Sequence, residues 1–138
     1  MLLPKKVKFR KWHTMRKDME ALRPDTRGIT LSFGSYGLKA ETSARMTSNQ
    51  IEAARKAMSR ALGKTGRIWI RIFPDRPFTR KAAEVPMGSG KGEPAGFCFE
   101  TYAGRMLFEV DGVSEVIAKE AFRKANSKLP VKTKMVSR

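Results

Sequence analysis

Isoleucines alternate with basic and aromatic side chains in the stretch from Gly66 to Pro77. Successive side chains of an extended strand point to opposite faces, so the two sets separate. One face carries Ile68, Ile70 and Ile72, and the other carries Arg67, Trp69, Arg71 and Phe73. Cationic groups bind phosphates and aromatic rings stack on bases, so the second face is suited to RNA or DNA. The pattern predicts a folded nucleic-acid binder rather than a basic tail.

Groups that could carry out catalysis or hold a metal are few. The single cysteine, Cys98, excludes an internal disulfide, and with only His13 to help it cannot build a zinc site. Cys98 lies in an alternating strand pattern and is predicted to pack in the core. Glu109 and Asp111 share one face of a strand, which we expect to be solvated rather than catalytic. The residues predict neither an enzyme nor a cofactor.

The first thirteen residues form a basic arm without an acidic residue. Two aromatic residues, Phe9 and Trp12, are interleaved with the basic ones. Such an arm has little to bury alone, so we expect it to become ordered only against a partner, and the alternative is a frayed terminus. The arm residues predicted to bind RNA are Lys5, Lys6, Lys8, Arg10, Lys11, Trp12 and His13.

A helix is predicted after Thr47, which fits a capping box with Gln50. Gly63 or Gly66 is expected to end it. Its buried face is formed by Ile51, Ala54, Met58, Ala61 and Leu62, and its outer face by Arg55, Lys56, Arg60 and Lys64. Only Glu52 offsets the outer charges. A charged helix face is usually solvated, but charge of one sign favours contact with phosphates.

Net charge is the most unusual property of the composition. The 138 residues include 29 Lys and Arg against 13 acidic residues, giving a formal charge of +16. Such a surplus repels itself unless a polyanion neutralises it, which favours nucleic acid over a merely solvated surface. Binding to anionic lipid would need a strong basic amphipathic helix, and the sequence has none. The length predicts one domain, 1–138, and no apolar run reaches transmembrane length, so a soluble cytoplasmic protein is expected.

Most of the remaining elements are predicted to be short strands. Residues 29–33 and 38–41 alternate around a turn at 34–37, and residues 97–102 and 105–111 flank a hairpin turn at Ala103-Gly104. A second helix is expected over 114–128, followed by a strand over 131–137. The apolar stripe of this second helix is formed by Ile117, Ala118, Ala121, Phe122, Ala125 and Leu129. The fold class is therefore α+β, with two helices against a mostly antiparallel sheet.

Between the strand at 66–77 and residue 92 the sequence predicts a basic loop rich in Gly and Pro, 76–92. Loops of this length are usually functional or disordered. Its glycines would allow the backbone to approach another backbone closely, and the spacing does not fit a nucleotide-hydrolase phosphate loop. The further RNA-binding candidates, from the strand and this loop, are Arg67, Trp69, Arg71, Arg76, Arg80 and Lys81.

Motifs along nearly the whole chain resemble the family of the sixteenth protein of the bacterial large ribosomal subunit. They occur in the family's order and lie at 8–13, 32–40, 50–55, 66–77, 108–113, 121–122 and 128–133. The resemblance implies an α/β-hammerhead-like fold and a structural role in the large subunit. It also implies binding to 23S rRNA and contact with tRNA at the A site, with the P site as a second candidate. In the tRNA-proximal loop, the matching residues are Met87, Gly88, Gly90, Lys91 and Gly92.

Two departures from the family pattern limit what the resemblance implies. Pro86 stands where the family usually has an arginine, so that position lacks the charge and the backbone donor. The stretch Asp18-Met19-Glu20 is more acidic than the family's usual segment. The alternative function is that of a non-ribosomal RNA-processing factor or RNA chaperone with the same basic surface.

Overall fold

The computed structural model describes residues 2–14, 18 and 21–138. Of the acidic stretch at 18–20, residues 19 and 20 lie outside the described residues. Two helices and seven strands follow in the order β1 Tyr36–Ala40, β2 Ala44–Thr47, α1 Ser48–Leu62, β3 Arg67–Ile70, β4 Arg76–Arg80, β5 Glu93–Thr101, β6 Met106–Asp111, α2 Glu115–Asn126 and β7 Thr133–Ser137. The predicted α+β class is confirmed.

The strands form two antiparallel sheets. The four-stranded sheet has the order β3-β6-β1-β7, and the three-stranded sheet has the order β2-β5-β4. In the first sheet Ile68 lies opposite Val110 and Ile70 lies opposite Phe108, so these side chains share one face. That face and the two helices, which pack on each other, bury the core.

The helices form largely as the sequence predicts. Thr47 and Gln50 make the expected capping box, with the Thr47 N–H donating to Gln50 Oε1 at 3.0 Å. The chain leaves α1 at Gly63, whose N–H donates to the Ser59 carbonyl. The predicted apolar stripe of α2 is confirmed except at Ile117, which is exposed.

Two predicted strand pairings are wrong. Residues 29–33 form no strand, because their backbone donors turn to a side chain instead, as described below. The strands on either side of Ala103-Gly104 do form, but β5 and β6 belong to different sheets. The Gly104 N–H donates to the Ala40 carbonyl at 2.7 Å, so the turn is bonded to the end of β1 rather than across a hairpin.

The loop predicted over 76–92 is shorter than expected. Residues 76–80 form β4, in which Pro77 pairs with Phe97 and Arg76 pairs with Cys98. The loop therefore spans residues 81–92 and connects β4 to β5. Proline is tolerated in β4 because the strand lies at the edge of its sheet.

Candidate nucleic-acid interface

The outer face of β3 is covered by the segment that precedes β1. Phe33 stacks on Trp69, with ring centroids 6.1 Å apart and the planes inclined by 16°. The Arg71 guanidinium lies 5.3 Å from the Phe33 ring centroid. Trp69 and Arg71, both predicted to face RNA, are consequently part-buried beneath this segment.

Glu109 holds that segment in place. Its carboxylate accepts hydrogen bonds from the backbone N–H groups of Ser32, Phe33 and Gly34 at 3.1, 2.6 and 2.8 Å. It also pairs with the Arg71 guanidinium. Glu109 is fully buried, so the expectation of a solvated face is wrong. The error arose because strand alternation does not reveal that a distant segment covers the outer face.

The ionised form of Glu109 is favoured despite its burial. Desolvation would raise the pKa of this carboxyl, but the three backbone donors and Arg71 outweigh it and hold the pKa below its usual value. A buried carboxylate with this set of donors is satisfied, and all its contacts are structural. Gly34 is required here, because a Cβ at this position would lie 2.6 Å from the Val110 carbonyl oxygen.

Of the predicted basic and aromatic residues of this stretch, Arg67 and Phe73 are exposed, and so is Phe33 of the covering segment. Arg67 is exposed at the start of β3, opposite Asp111 on β6. Phe33 and Phe73 are exposed aromatic residues. The structure thus leaves Phe33, which sequence reasoning placed in a strand, as an aromatic surface in place of Trp69.

The outer face of α1 and the turn after it carry cations that have no ion-pair partner in the part of the chain that the structure describes. Arg55 donates two hydrogen bonds to the Glu52 carboxylate, at 2.9 and 2.7 Å, and this contact lowers the pKa of Glu52. Lys56, Arg60 and Lys64 are exposed, and none has an ion-pair partner within residues 2–14, 18 and 21–138. Arg55 is therefore already paired, and the other three remain available to an external anion.

The basic arm contacts β4, the 81–92 loop and the first residue of β5. The Arg76 guanidinium lies 5.5 Å from the centroid of the Trp12 ring. The Lys91 ammonium donates to the Trp12 carbonyl, and Lys11 Nζ lies 3.6 Å from Glu93 Oε1. From the sequence, the arm and the loop were predicted to be separate sites, whereas in the structure they are in contact.

The composition of the arm led us to expect that it becomes ordered only against a partner. In the structure it also makes contacts within the chain. Its other predicted binding residues, Lys5, Lys6, Lys8, Arg10 and His13, are all exposed. Phe9, Lys11, Trp12 and His13 line an open cavity of about 400 Å³. Lys8 Nζ lies 5.4 Å from the Phe9 ring centroid.

Arg76 and Lys81 form contacts that fix the local structure. Arg76 pairs with Glu100, which also accepts a hydrogen bond from Arg45 at 3.0 Å. The Lys81 ammonium donates to the carbonyls of Pro86 and Gly88. Arg80 is exposed at the end of β4. Among these predicted RNA-binding residues, Arg80 is the most accessible to a ligand.

The 81–92 loop presents Met87 to solvent, with 89% of the residue exposed. Gly88 and Gly90 on either side of Ser89 have φ angles of 102° and 105°, which favour glycine. A Cβ at either glycine would meet no atom within 4 Å, so the backbone there is open to an approaching molecule. Gly92 differs, since its Cβ would lie 2.9 Å from the backbone of Arg80.

Other kinds of site have little support in the described part of the chain. No group of three or more His, Cys, Asp or Glu side chains there could hold a metal ion. Cys98 is buried, which raises the pKa of its thiol, as core packing predicts. Neither helix of the described residues is long and apolar enough to cross a membrane.

Comparison with protein families gives a match over nearly the whole chain. The family model described as ribosomal protein L16p/L10e matches residues 4–136. The matched range contains the arm from residue 4, both helices, the 81–92 loop and all of the strands except the last residue of β7.

Proposed function

The chain belongs to the ribosomal protein L16p/L10e family and is a structural constituent of the large ribosomal subunit, and on this premise we propose that it binds 23S rRNA through its unpaired basic side chains. The family is of a structural, non-enzymatic kind. Membership of this family favours a ribosomal role over that of a free RNA-processing factor or RNA chaperone. Other ribosomal proteins are the further partners that such a place implies.

One observation carries the proposal of rRNA binding: predicted cations of the arm and of the α1 region are exposed and have no ion-pair partner among the described residues. On the arm these are Lys5, Lys6 and Arg10, and at α1 they are Lys56 and Arg60 on the helix and Lys64 in the turn after it, none of which is in an ion pair with a described residue. Unpaired cations keep their full attraction for phosphates, and released counterions add to the affinity. Folded RNA would then be recognised mainly by its shape.

The remaining basic residues divide by what they already contact. Exposed groups proposed to bind RNA directly also include Lys8, Lys11, Trp12, His13, Arg67 and Arg80. Four basic residues already contact groups within the chain, and they are proposed to support RNA binding indirectly by holding those groups in place. These are Arg55, Arg71 and Arg76, which pair with carboxylates, and Lys81, which donates to backbone carbonyls; Arg76 also lies over the Trp12 ring. Trp69 stacks on the exposed Phe33 ring, and it is likewise proposed to support RNA binding indirectly, by holding Phe33 in place.

We propose that the 81–92 loop contacts tRNA at the A site, with the P site as a second candidate. The support is the exposure of Met87 and the open backbone at Gly88 and Gly90. Lys91 donates to the Trp12 carbonyl, which ties the end of the loop to the arm, and Gly92 lies against Arg80. Pro86 supplies no charge, so contacts here depend on backbone donors and on Met87.

Charge reversal on α1 tests the rRNA proposal. We expect Lys56→Glu to weaken binding of the purified chain to 23S rRNA and to reduce the slope of log affinity against log salt by about one. Lys119→Glu is the matched control, because it makes the same charge change at an exposed position in the middle of α2. Equal slopes for Lys56→Glu and the unmodified chain would contradict a phosphate contact at α1.

A further inference from the structure

We propose that the cavity beside Trp12 takes one unstacked nucleobase of single-stranded RNA, which stacks on the exposed side of the Trp12 indole. The inference rests on the proposed RNA-binding function and adds the kind of RNA group that this part of the arm recognises. The described walls of the cavity are Phe9, Lys11, Trp12 and His13. Its volume of about 400 Å³ lies within the range of small-molecule sites.

The Trp12 ring is held ready for stacking. Arg76 lies over it at 5.5 Å from the centroid, and Arg76 is itself paired with Glu100. The Arg76 side chain is only 14% exposed, so the guanidinium has little freedom to leave the ring. The Lys91 ammonium donates a hydrogen bond to the backbone carbonyl of Trp12, which also holds the backbone at this position. A ring that is already ordered loses little conformational entropy on binding.

The cavity beside Trp12 is open to solvent and carries two kinds of group. Phe9 is 57% exposed and Trp12 is 43% exposed, so aromatic surface faces the cavity instead of the core. The two aromatic residues line the same cavity, so a ligand with a flat apolar face could contact both. Lys8 Nζ lies 5.4 Å from the Phe9 ring centroid and Lys11 lines the cavity, so two cations lie beside the aromatic rings.

This combination matches RNA better than other ligands with flat rings. A base has an apolar face for Trp12, and the phosphates on either side of it are anions for the neighbouring cations. The ligand must be single-stranded, because bases within a duplex are already stacked on each other and cannot enter a side cavity. Arg76, the indole and the base would form three stacked layers, with a cation–π contact on the inner side.

The test compares two oligoribonucleotides of the same length and charge. One is a fluorescein-labelled nine-residue strand of mixed sequence, and the other has the same backbone with abasic sites throughout. Binding is followed by fluorescence anisotropy with the full chain. We expect the chain to bind the strand with bases about ten-fold more tightly than the abasic strand, which is the range for stacking of one base.

Substitutions at position 12 identify the residue responsible. We expect Trp12→Leu to lose the preference for bases and Trp12→Phe to keep most of it, because phenylalanine preserves an aromatic surface. Lys119→Gln on α2 serves as the control and should leave the preference unchanged. Retention of the full preference by Trp12→Leu would overturn the proposal, and so would equal binding of the two strands by the unmodified chain.

Tryptophan emission gives a second readout that does not depend on the stability of a Trp12 variant. The chain has two tryptophans, so Trp69→Phe leaves Trp12 as the sole emitter. We expect saturating strand with bases to quench its emission and saturating abasic strand to leave it unchanged. Equal quenching by both would contradict stacking on Trp12. Failure of the unmodified chain to bind either strand at low salt would instead contradict the proposed function on which this inference rests.

Discussion

Glu109 determines which side chains of β3 reach solvent. Its carboxylate binds three consecutive backbone N–H groups and Arg71, and so draws residues 32–34 across the outer face of the sheet. Phe33 is thereby placed over Trp69. A residue that resembled a solvated surface acid thus sets the position of an exposed aromatic group.

Replacing Glu109 by glutamine should lower stability in a pH-dependent way. We expect Glu109→Gln to reduce the free energy of unfolding at pH 7 by about 3 kcal/mol, because Arg71 and the backbone donors lose a buried carboxylate. The folded pKa of Glu109 lies below its ordinary value of 4.5. Its contribution is therefore fully present above about pH 5 and is lost as the pH falls through the folded pKa. Urea unfolding at pH 7 and pH 3 measures the difference.

Glu120→Gln on α2 is the matched control for that experiment. The hydrogen bond from Arg123 and the neighbouring Lys124 lower the pKa of Glu120 to about 2. That carboxylate is exposed, so solvent screens the pair and its loss should change stability little. If the difference between the unmodified chain and Glu109→Gln were the same at pH 7 and pH 3, the carboxylate of Glu109 would not be the group that stabilises the segment.

Local signals were sufficient to predict the helices but not the sheet pairings. The capping box at Thr47 and the apolar stripes of both helices depend on residues close in sequence, and the structure contains them except at the exposed Ile117. The alternation of Ile68 and Ile70 with Trp69 likewise predicted which side of β3 meets the core. Pairing depends on distant partners, and the four residues of β2 carried no clear pattern of their own.

Several predicted binding residues could not be sorted without the structure. Arg71 and Lys56 are both basic residues on faces that the sequence predicts to bind RNA. In the structure, Arg71 is paired with a buried carboxylate, whereas Lys56 is exposed and has no ion-pair partner among the described residues. The difference arises from Glu109, which is 38 residues away from Arg71. Likewise, the contact of Trp12 with Arg76 and Lys91 requires a fold that brings the arm to β4.

The 81–92 loop gives a prediction at the scale of one element. Because Cys98 is buried, Met87→Cys would introduce the one reactive thiol among the described residues. We expect a hydroxyl-radical probe attached there to cleave A-site tRNA bound to assembled ribosomes. Val116→Cys, at an exposed position on α2, is the control and should leave tRNA intact. Absence of tRNA cleavage from position 87 in fully assembled particles would contradict the proposed loop contact.

At the scale of the whole molecule, the charge of +16 links stability to assembly. Cations such as Lys56, Arg60 and Lys64 repel one another in the free chain, and that repulsion disappears when phosphates neutralise them. RNA that binds only the folded chain also stabilises it by mass action. The free protein should therefore be much less stable than the protein in the subunit.

The most direct test of RNA binding through these cations is sedimentation of a tagged chain in cell lysate. We predict that the unmodified chain migrates with large subunits and remains there through a wash at moderate salt, whereas Lys56→Glu combined with Arg60→Glu shifts most of the chain to the top of the gradient. Lys119→Glu combined with Lys128→Glu makes the same charge change at exposed positions on and just after α2, and should remain with the subunit. Equal retention of the α1 double variant and the unmodified chain would contradict the account.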